Sequence, residues 1–331
     1  MTPSSLPSLS KNRSLRRTLY GLLLAVPALP LVGCDPYAKY GDCGTWQQYS
    51  KKSEELPLAE GEPLPRKPSC EPCPRPDHGP TGHLLSCAAE EAPRRDGAAR
   101  AYLLVCQYDW CNPQDGRRPE GLRDPEVLEA DDVLGAFMAH GAWMEAASVP
   151  AFLRLAEELA AHGAPDTLVR AARRSAGDEV RHARVMGALA QRHGARIPEV
   201  EVTPFTPRSL EELLVENAIE GCVRETYSAL STGWRARHAG DVELRQALRS
   251  IARDEVRHAE LAWAVDAWGG ERLSSSARVQ VRQSRRDTLR ELEAEVSRRE
   301  PAEALVRLGG VPSRAQAQRL VQGLGEWVAQ A

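Results

Sequence analysis

Asp178-Glu179-Val180-Arg181-His182-Ala183 occurs twice in this chain, returning 76 residues later as Asp254-Glu255-Val256-Arg257-His258-Ala259. On a helix of 3.6 residues per turn, positions i and i+3 share a face. Each Glu-x-x-His therefore aims a carboxylate and an imidazole at one point. A single Glu-x-x-His is ordinarily a solvated helix face, but here the repeat extends upstream. Glu145 stands 34 residues before Glu179, and Glu220 stands 35 before Glu255. Phe152 and Tyr227 each follow their glutamate by seven residues. The chain reads as a duplicated helix pair, Glu and then Glu-x-x-His, twice over.

Punctuation around the repeat predicts four helices, at about 133–162, 167–193, 210–237 and 242–268. Pro150 falls inside the first, five residues after Glu145, where it removes a backbone hydrogen bond and invites a kink. Gly163-Ala164-Pro165-Asp166 and His238-Ala239-Gly240-Asp241 are tight stop-and-start turns. Ser209 and Glu212 form a capping box at the start of the third helix. Residues 194–208 carry Pro198, Pro204 and Pro207 and cannot be helical throughout. Fifteen extended residues reach ~50 Å, while a helix of ~27 residues is ~40 Å long, so this linker can cross a whole bundle. Two further helices are expected at 276–299 and 313–330, packed on the outside of the bundle or presenting a docking surface.

The N-terminal end speaks to compartment. Residues 1–33 contain Lys11, Arg13, Arg16 and Arg17, no acid, and an apolar run from Leu19 to Val32 broken by Pro27 and Pro30. That run is too short to span a membrane and fits an export signal. Leu31-Val32-Gly33-Cys34 resembles the bacterial lipobox, which implies acylation of Cys34 and a lipid anchor to the inner or outer membrane, facing periplasm or cell surface. Removing four of the 43 basic residues leaves 39 against 46 acids, a net charge of −7 that argues against a nucleic-acid partner. Residues 34–124 are rich in Pro and Gly and hold Cys43, Cys70, Cys73, Cys87, Cys106 and Cys111. An even set in an exported chain predicts three disulfides in a small module, with fifteen connectivities open. The alternative, a metal knuckle on Cys70-x-x-Cys73, lacks a second pair of matching spacing, since Cys106 and Cys111 are separated by four residues. Ala101–Val105 is its one strand-like run. Cys222 is left unpaired. The organisation is then signal peptide 1–33, cysteine module 34–124, bundle 125–270 and helical extension 271–331.

The duplicated ligand pattern resembles the ferritin-like di-metal carboxylate proteins, in which two helices each give a Glu and the other two each give Glu-x-x-His. The resemblance covers about 133–268 and implies an all-α, up-down four-helix bundle with one long crossover. It also implies two iron ions, or manganese with iron, with Glu179 and Glu255 bridging, Glu145 and Glu220 terminal, and His182 and His258 serving one metal each. Glu216, one turn before Glu220, is the alternative to it. Glu225, five residues after Glu220, points about 140° away on a regular helix. The full Asp-Glu-x-Arg-His motif is also similar to that of soluble di-iron monooxygenases and acyl carrier protein desaturases. There the Asp and Arg lie beneath the histidines, a place that falls here to Asp178, Arg181, Asp254 and Arg257. The implied chemistry is oxidation of Fe(II) by O2 or peroxide. The alternatives are an oxygenase on an organic substrate and a non-catalytic surface lipoprotein. The chain offers no flavin, iron–sulfur or rubredoxin port, so the electron donor stays open.

Overall fold

The computed structural model describes residues 8–26, 46–73, 84–93, 99–111, 117–123, 128–298 and 301–330. A helix, α1 (Ser8–Ala25), precedes a small sheet of β1 (Trp46–Pro57), β2 (Leu84–Glu91), β3 (Ala101–Cys111) and β4 (Leu128–Glu129). The strand order is β2-β3-β1-β4, with β3 antiparallel to β1 and β2, and β4 parallel to β1. Sequence reading expects a single strand in this region, and the sheet gives it two long partners. The reason lies in β1, whose polar run from Gln47 to Glu55 has no apolar alternation to read. Disulfides reinforce the small apolar face of the sheet. Cys70 bonds Cys87 and Cys73 bonds Cys106. Cys87 and Cys106 face one another in register on β2 and β3, so the Cys70–Cys73 turn is tied to two adjacent strands. Cys34, Cys43 and the side chain of Cys111 lie outside the described residues.

The body of the molecule is all-α. Asp132 accepts from the Gly135 amide and starts α2 (Val133–Ala161), which runs unbroken through Pro150. The helix α3 (Asp166–Arg192) returns beside it, the most extensive pairing in the chain. The third bundle helix is composite: α4 (Leu210–Glu216), a π-helical segment (Asn217–Glu225), then α5 (Thr226–His238). Its N-terminus carries the expected Ser209–Glu212 capping box. Asp241 caps α6 (Val242–Gly270), which packs against α5 and also against α3. Outside the bundle lie α7 (Ser275–Arg298), the short α8 (Glu303–Arg307) and α9 (Arg314–Val328).

Residues 193–209 form the long crossover, and its contacts trace the full length of α2. At one end the His193 carbonyl accepts from the Asp131 amide. At the other, Arg208 grips the fully buried Glu158 through Nε, Nη2 and the backbone amide at 2.8, 2.8 and 3.0 Å. Midway, Val202 bridges to Leu122 of the chain leading into the bundle. The disulfide module is continuous with the core: Cys73, Leu104 and Cys106 are buried in one cluster with Leu134, Phe137 and Leu248. The helix α1 lies on the far side, with Leu15, Leu19 and Leu23 buried among Trp234, Trp263 and Leu320. Its Arg16 pairs with Glu260. Among the described residues, no helix is long and apolar enough to cross a membrane.

Candidate metal centre

Two overlapping groups of side chains meet at mid-height of the bundle, each able to hold a metal ion. Glu145, Glu179, His182 and Glu255 form one, and Glu225, Glu255 and His258 form the other. They come from α2, α3, α6 and the last residue of the π segment. Both imidazoles turn Nδ1 inward. Nδ1 of His182 lies 3.3 Å from Glu145, 3.7 Å from Glu179 and 3.5 Å from Glu255. Nδ1 of His258 lies 2.9 Å from Glu179, 3.5 Å from Glu255 and 4.0 Å from Glu225. Glu255 therefore belongs to both groups, and Glu179 reaches both rings.

The inner atoms are short of partners. Oε2 of Glu225, Oε1 of Glu255 and Nδ1 of His258 are buried without an aligned hydrogen bond. The 2.9 Å approach of His258 to Glu179 is close enough for a hydrogen bond but wrongly directed for one. Buried polar atoms are almost always satisfied, so three orphans converging on one point are what a cation with oxygen and nitrogen ligands would complete.

Beneath the imidazoles the two repeats are cross-wired. His182 Nε2 lies 3.1 Å from Asp254, and His258 Nε2 lies 3.5 Å from Asp178, so each ring leans on the aspartate of the other motif. Arg181 binds Asp178 at 2.9 Å and Asp254 at 2.7 Å, and Arg257 binds the same two at 2.9 and 2.7 Å. At His182, Asp254 accepting the outer N–H keeps a proton on Nε2 and turns Nδ1 to the centre, while Nε2 of His258 faces Asp178 without an aligned hydrogen bond. Burial alone would raise the Asp178 and Asp254 carboxyls, but the imidazoles and guanidiniums outweigh it and hold both below the usual range.

Electrostatics inside the centre describe a site under like-charge stress. Burial and the neighbouring Glu179 push Glu145 up to about 8, and burial with Glu255 pushes Glu225 well up. Burial opposes a charged His182, yet Glu145 and Glu179 outweigh it and lift the imidazole to about 11. Without a cation, protons must screen the four carboxylates.

The structure brings together Glu145, Glu179, His182, Glu255 and His258, but not Glu220. That carboxylate lies outside both groups and accepts from the Arg118 amide at 3.1 Å. Burial, with Glu216 adding to it and the Arg118 amide opposing, puts it at about 7. Glu216, the other alternative, is bound to Arg117 at 2.6 Å. The place expected for Glu220 belongs to Glu225, and the π segment is the reason. A helix bonded i to i+5 turns by roughly 80° per residue rather than 100°. Over the eight steps from Asn217 to Glu225 the lag reaches roughly 140–160°. That is about the angle by which Glu225 would otherwise miss the centre. The sequence held one hint: on a regular helix Glu225 continues the apolar stripe of Leu214, Ala218 and Gly221, a poor place for a carboxylate unless it has work there.

Beside the two groups lies a cavity of about 40 Å³, bordered by Glu145, Glu179, Glu225 and Glu255 and by His140, Ser228 and Thr232. Glu145, 22% exposed, is the ligand-group carboxylate most open to solvent. The chain matches no protein-family model, no curated protein and no solved structure.

Proposed function

We propose that this is an exported, lipid-anchored, ferritin-like protein whose centre holds two iron ions, or iron with manganese, and oxidises Fe(II) with O2 or peroxide. One observation carries it: Glu255 is shared by both ligand groups while Glu179 reaches both imidazoles. Two cations ~3.5–4 Å apart need such bridging oxygens to offset their repulsion. Glu145 and His182 would complete one end, Glu225 and His258 the other. Four carboxylates and two imidazoles suit iron or manganese better than a structural zinc, which favours thiolates and four ligands. When bound, two Fe(II) ions supply two electrons, enough to reduce O2 and two protons to hydrogen peroxide, or peroxide and two protons to two waters. Asp254 holds the His182 proton at Nε2, Asp178 faces Nε2 of His258, and Glu145 faces the cavity through which a small oxidant arrives.

Cavity size favours this over the organic-substrate oxygenase. A space of about 40 Å³ accommodates one or two waters, or O2 or peroxide, and nothing drug-sized. The anchor rests on Leu31-Val32-Gly33-Cys34 and the basic, acid-free segment before it. Metal analysis of protein loaded anaerobically with Fe(II), followed by an oxygen or peroxide pulse, tests the centre. Two irons per chain and oxidation faster than that of free Fe(II) are expected. A chain that takes up no transition metal would leave an idle bundle.

A further inference from the structure

Two residues that belong to no bundle helix touch the π segment from outside. Arg117 is 1% exposed and reaches into the bundle from the chain that links the disulfide module to α2. Its Nη2 lies 2.6 Å from Glu216, and its Nη1 donates to Asn217 Oδ1 at 3.5 Å. Asn217 in turn donates to the Ala262 carbonyl of α6 at 2.9 Å. Arg117 also stands over the Phe152 ring at 5.7 Å, and Phe152 lies 5.0 Å from the His258 ring. The backbone is fixed as well: Ser148 of α2 donates to the Arg117 carbonyl at 3.0 Å. The next residue, Arg118, gives its amide to Glu220. The segment is fitted closely around this insertion, because a Cβ at Gly221 would come within 3.1 Å of the Arg117 guanidinium and 2.8 Å of Ala262. The contacts fall on the two carboxylates that regular winding would offer to the centre.

We infer that Arg117 and Arg118 form a latch that holds the third bundle helix in its π register, keeping Glu216 and Glu220 out of the centre and Glu225 in it. The inference deepens the di-metal reading and rests on it for its metal consequences, not for its structural one. A long run of i to i+5 bonds is rarely held by propensity alone and recurs mainly at functional sites. Here a buried guanidinium clamps its first turn and a backbone amide its middle. Release of the clamp lets residues 217–225 rewind as α-helix, which, measured from Asn217, turns Glu225 away by roughly 140–160° and brings Glu220 round by roughly 60°. Arg117 is thus a positioning residue. It couples the disulfide module to the ligand set, since the module's linker delivers it.

The test uses Arg117→Met, which keeps length and apolar stem without charge, alone and with Glu220→Gln. In metal-free protein, amide exchange over 217–225 should quicken roughly tenfold in Arg117→Met while that of α3 is unchanged. In protein titrated anaerobically with Fe(II), affinity at the Glu225–His258 end should fall by ~10–100-fold, the usual loss when a ligand's outer support is removed. What iron remains at that end should depend on Glu220: Glu220→Gln should be silent in the wild type and abolish residual binding in Arg117→Met. Arg117→Lys should restore part of the loss. Should Arg117→Met fail to fold by circular dichroism, Glu216→Gln loosens the same clamp and carries the same expectations. Unchanged exchange over 217–225 in a folded variant overturns the latch, as does iron binding by Arg117→Met that stays at the wild-type level and is indifferent to Glu220→Gln. A wild type without metal affinity overturns the proposed function instead, and the exchange experiment still decides the latch.

Discussion

Glu225 reaches the centre through helix winding, which a residue count assuming 3.6 per turn cannot register. Glu225→Ala should therefore drop iron uptake from two equivalents to one, while Glu220→Ala keeps two, as measured by metal stoichiometry after anaerobic loading. The reverse outcome would mean that Glu220 is a ligand after all. The other five residues of the cluster were legible because the helices that bear them wind regularly and the i, i+3 rule holds there. The same residues set the pH response of the metal-free protein. Glu145 keeps its proton up to about 8 when folded, against about 4.5 for a glutamate in water. Between those values the folded state binds more protons than the unfolded chain, so stability falls as pH rises. His182, protonated up to about 11 when folded against 6.5 otherwise, acts in the same direction above 6.5. Asp178 and Asp254 are ionised in both states above pH 5 and add no slope there. Metal-free protein should accordingly melt lower at pH 8.5 than at pH 5.5. Glu145→Gln should flatten part of that slope, and bound metal should cancel or reverse it, because metal competes with the same protons. Thermal melts with and without Fe(II) across this range read the sign directly.

At the scale of elements, α3 and α6 act as one unit. Each supplies the aspartate that faces the other's imidazole, and both arginines tie the two aspartates together. Asp178→Asn should thus weaken metal at the His258 end rather than at His182 of its own motif, by ~10–100-fold. Loss confined to the His182 end would refute the crossing. The helices themselves were readable to within two residues at the bundle's termini, because caps, glycines and a strong 3.6-residue period mark them. The crossover was readable from its length and its prolines. The sheet was not: β1 is polar and leaves no pattern in hydrophobicity, while β2 and β3 are tied to the Cys70–Cys73 turn by sulfur. Each shown disulfide joins the Cys70–Cys73 turn to a different strand. Cys222, buried on the π segment, is a free thiol whose pKa burial pushes well up. If Cys34 is acylated and all six cysteines of the module are paired, thiol titration of denatured, unreduced protein should find one free thiol; three or more would break the scheme.

For the molecule as a whole, the consequential contact is the one that maturation would remove. The helix α1 lies within the proposed signal peptide, yet it covers an apolar face of the bundle: Leu15 and Leu19 are 1% and 2% exposed, and Leu23 packs where a Cβ on Gly233 would stand. Cleavage before Cys34 would return Trp234, Trp263, Leu320 and their neighbours to solvent unless something replaces α1. Contiguous apolar surface of this kind marks a contact with lipid or protein, and a chain anchored by Cys34 would carry it close to a membrane face. Two forms of the protein separate these effects. Because acylation precedes cleavage at a lipobox, Cys34→Ala should accumulate unprocessed with α1 still seated, as N-terminal mass analysis would report. A chain beginning at residue 34 and purified without lipid should bind a hydrophobic dye more strongly than that precursor. Maturation of Cys34→Ala to the wild-type N-terminus would sink the lipoprotein reading. Equal dye binding by the two forms would mean instead that α1 does not seal the groove between α5, α6 and α9.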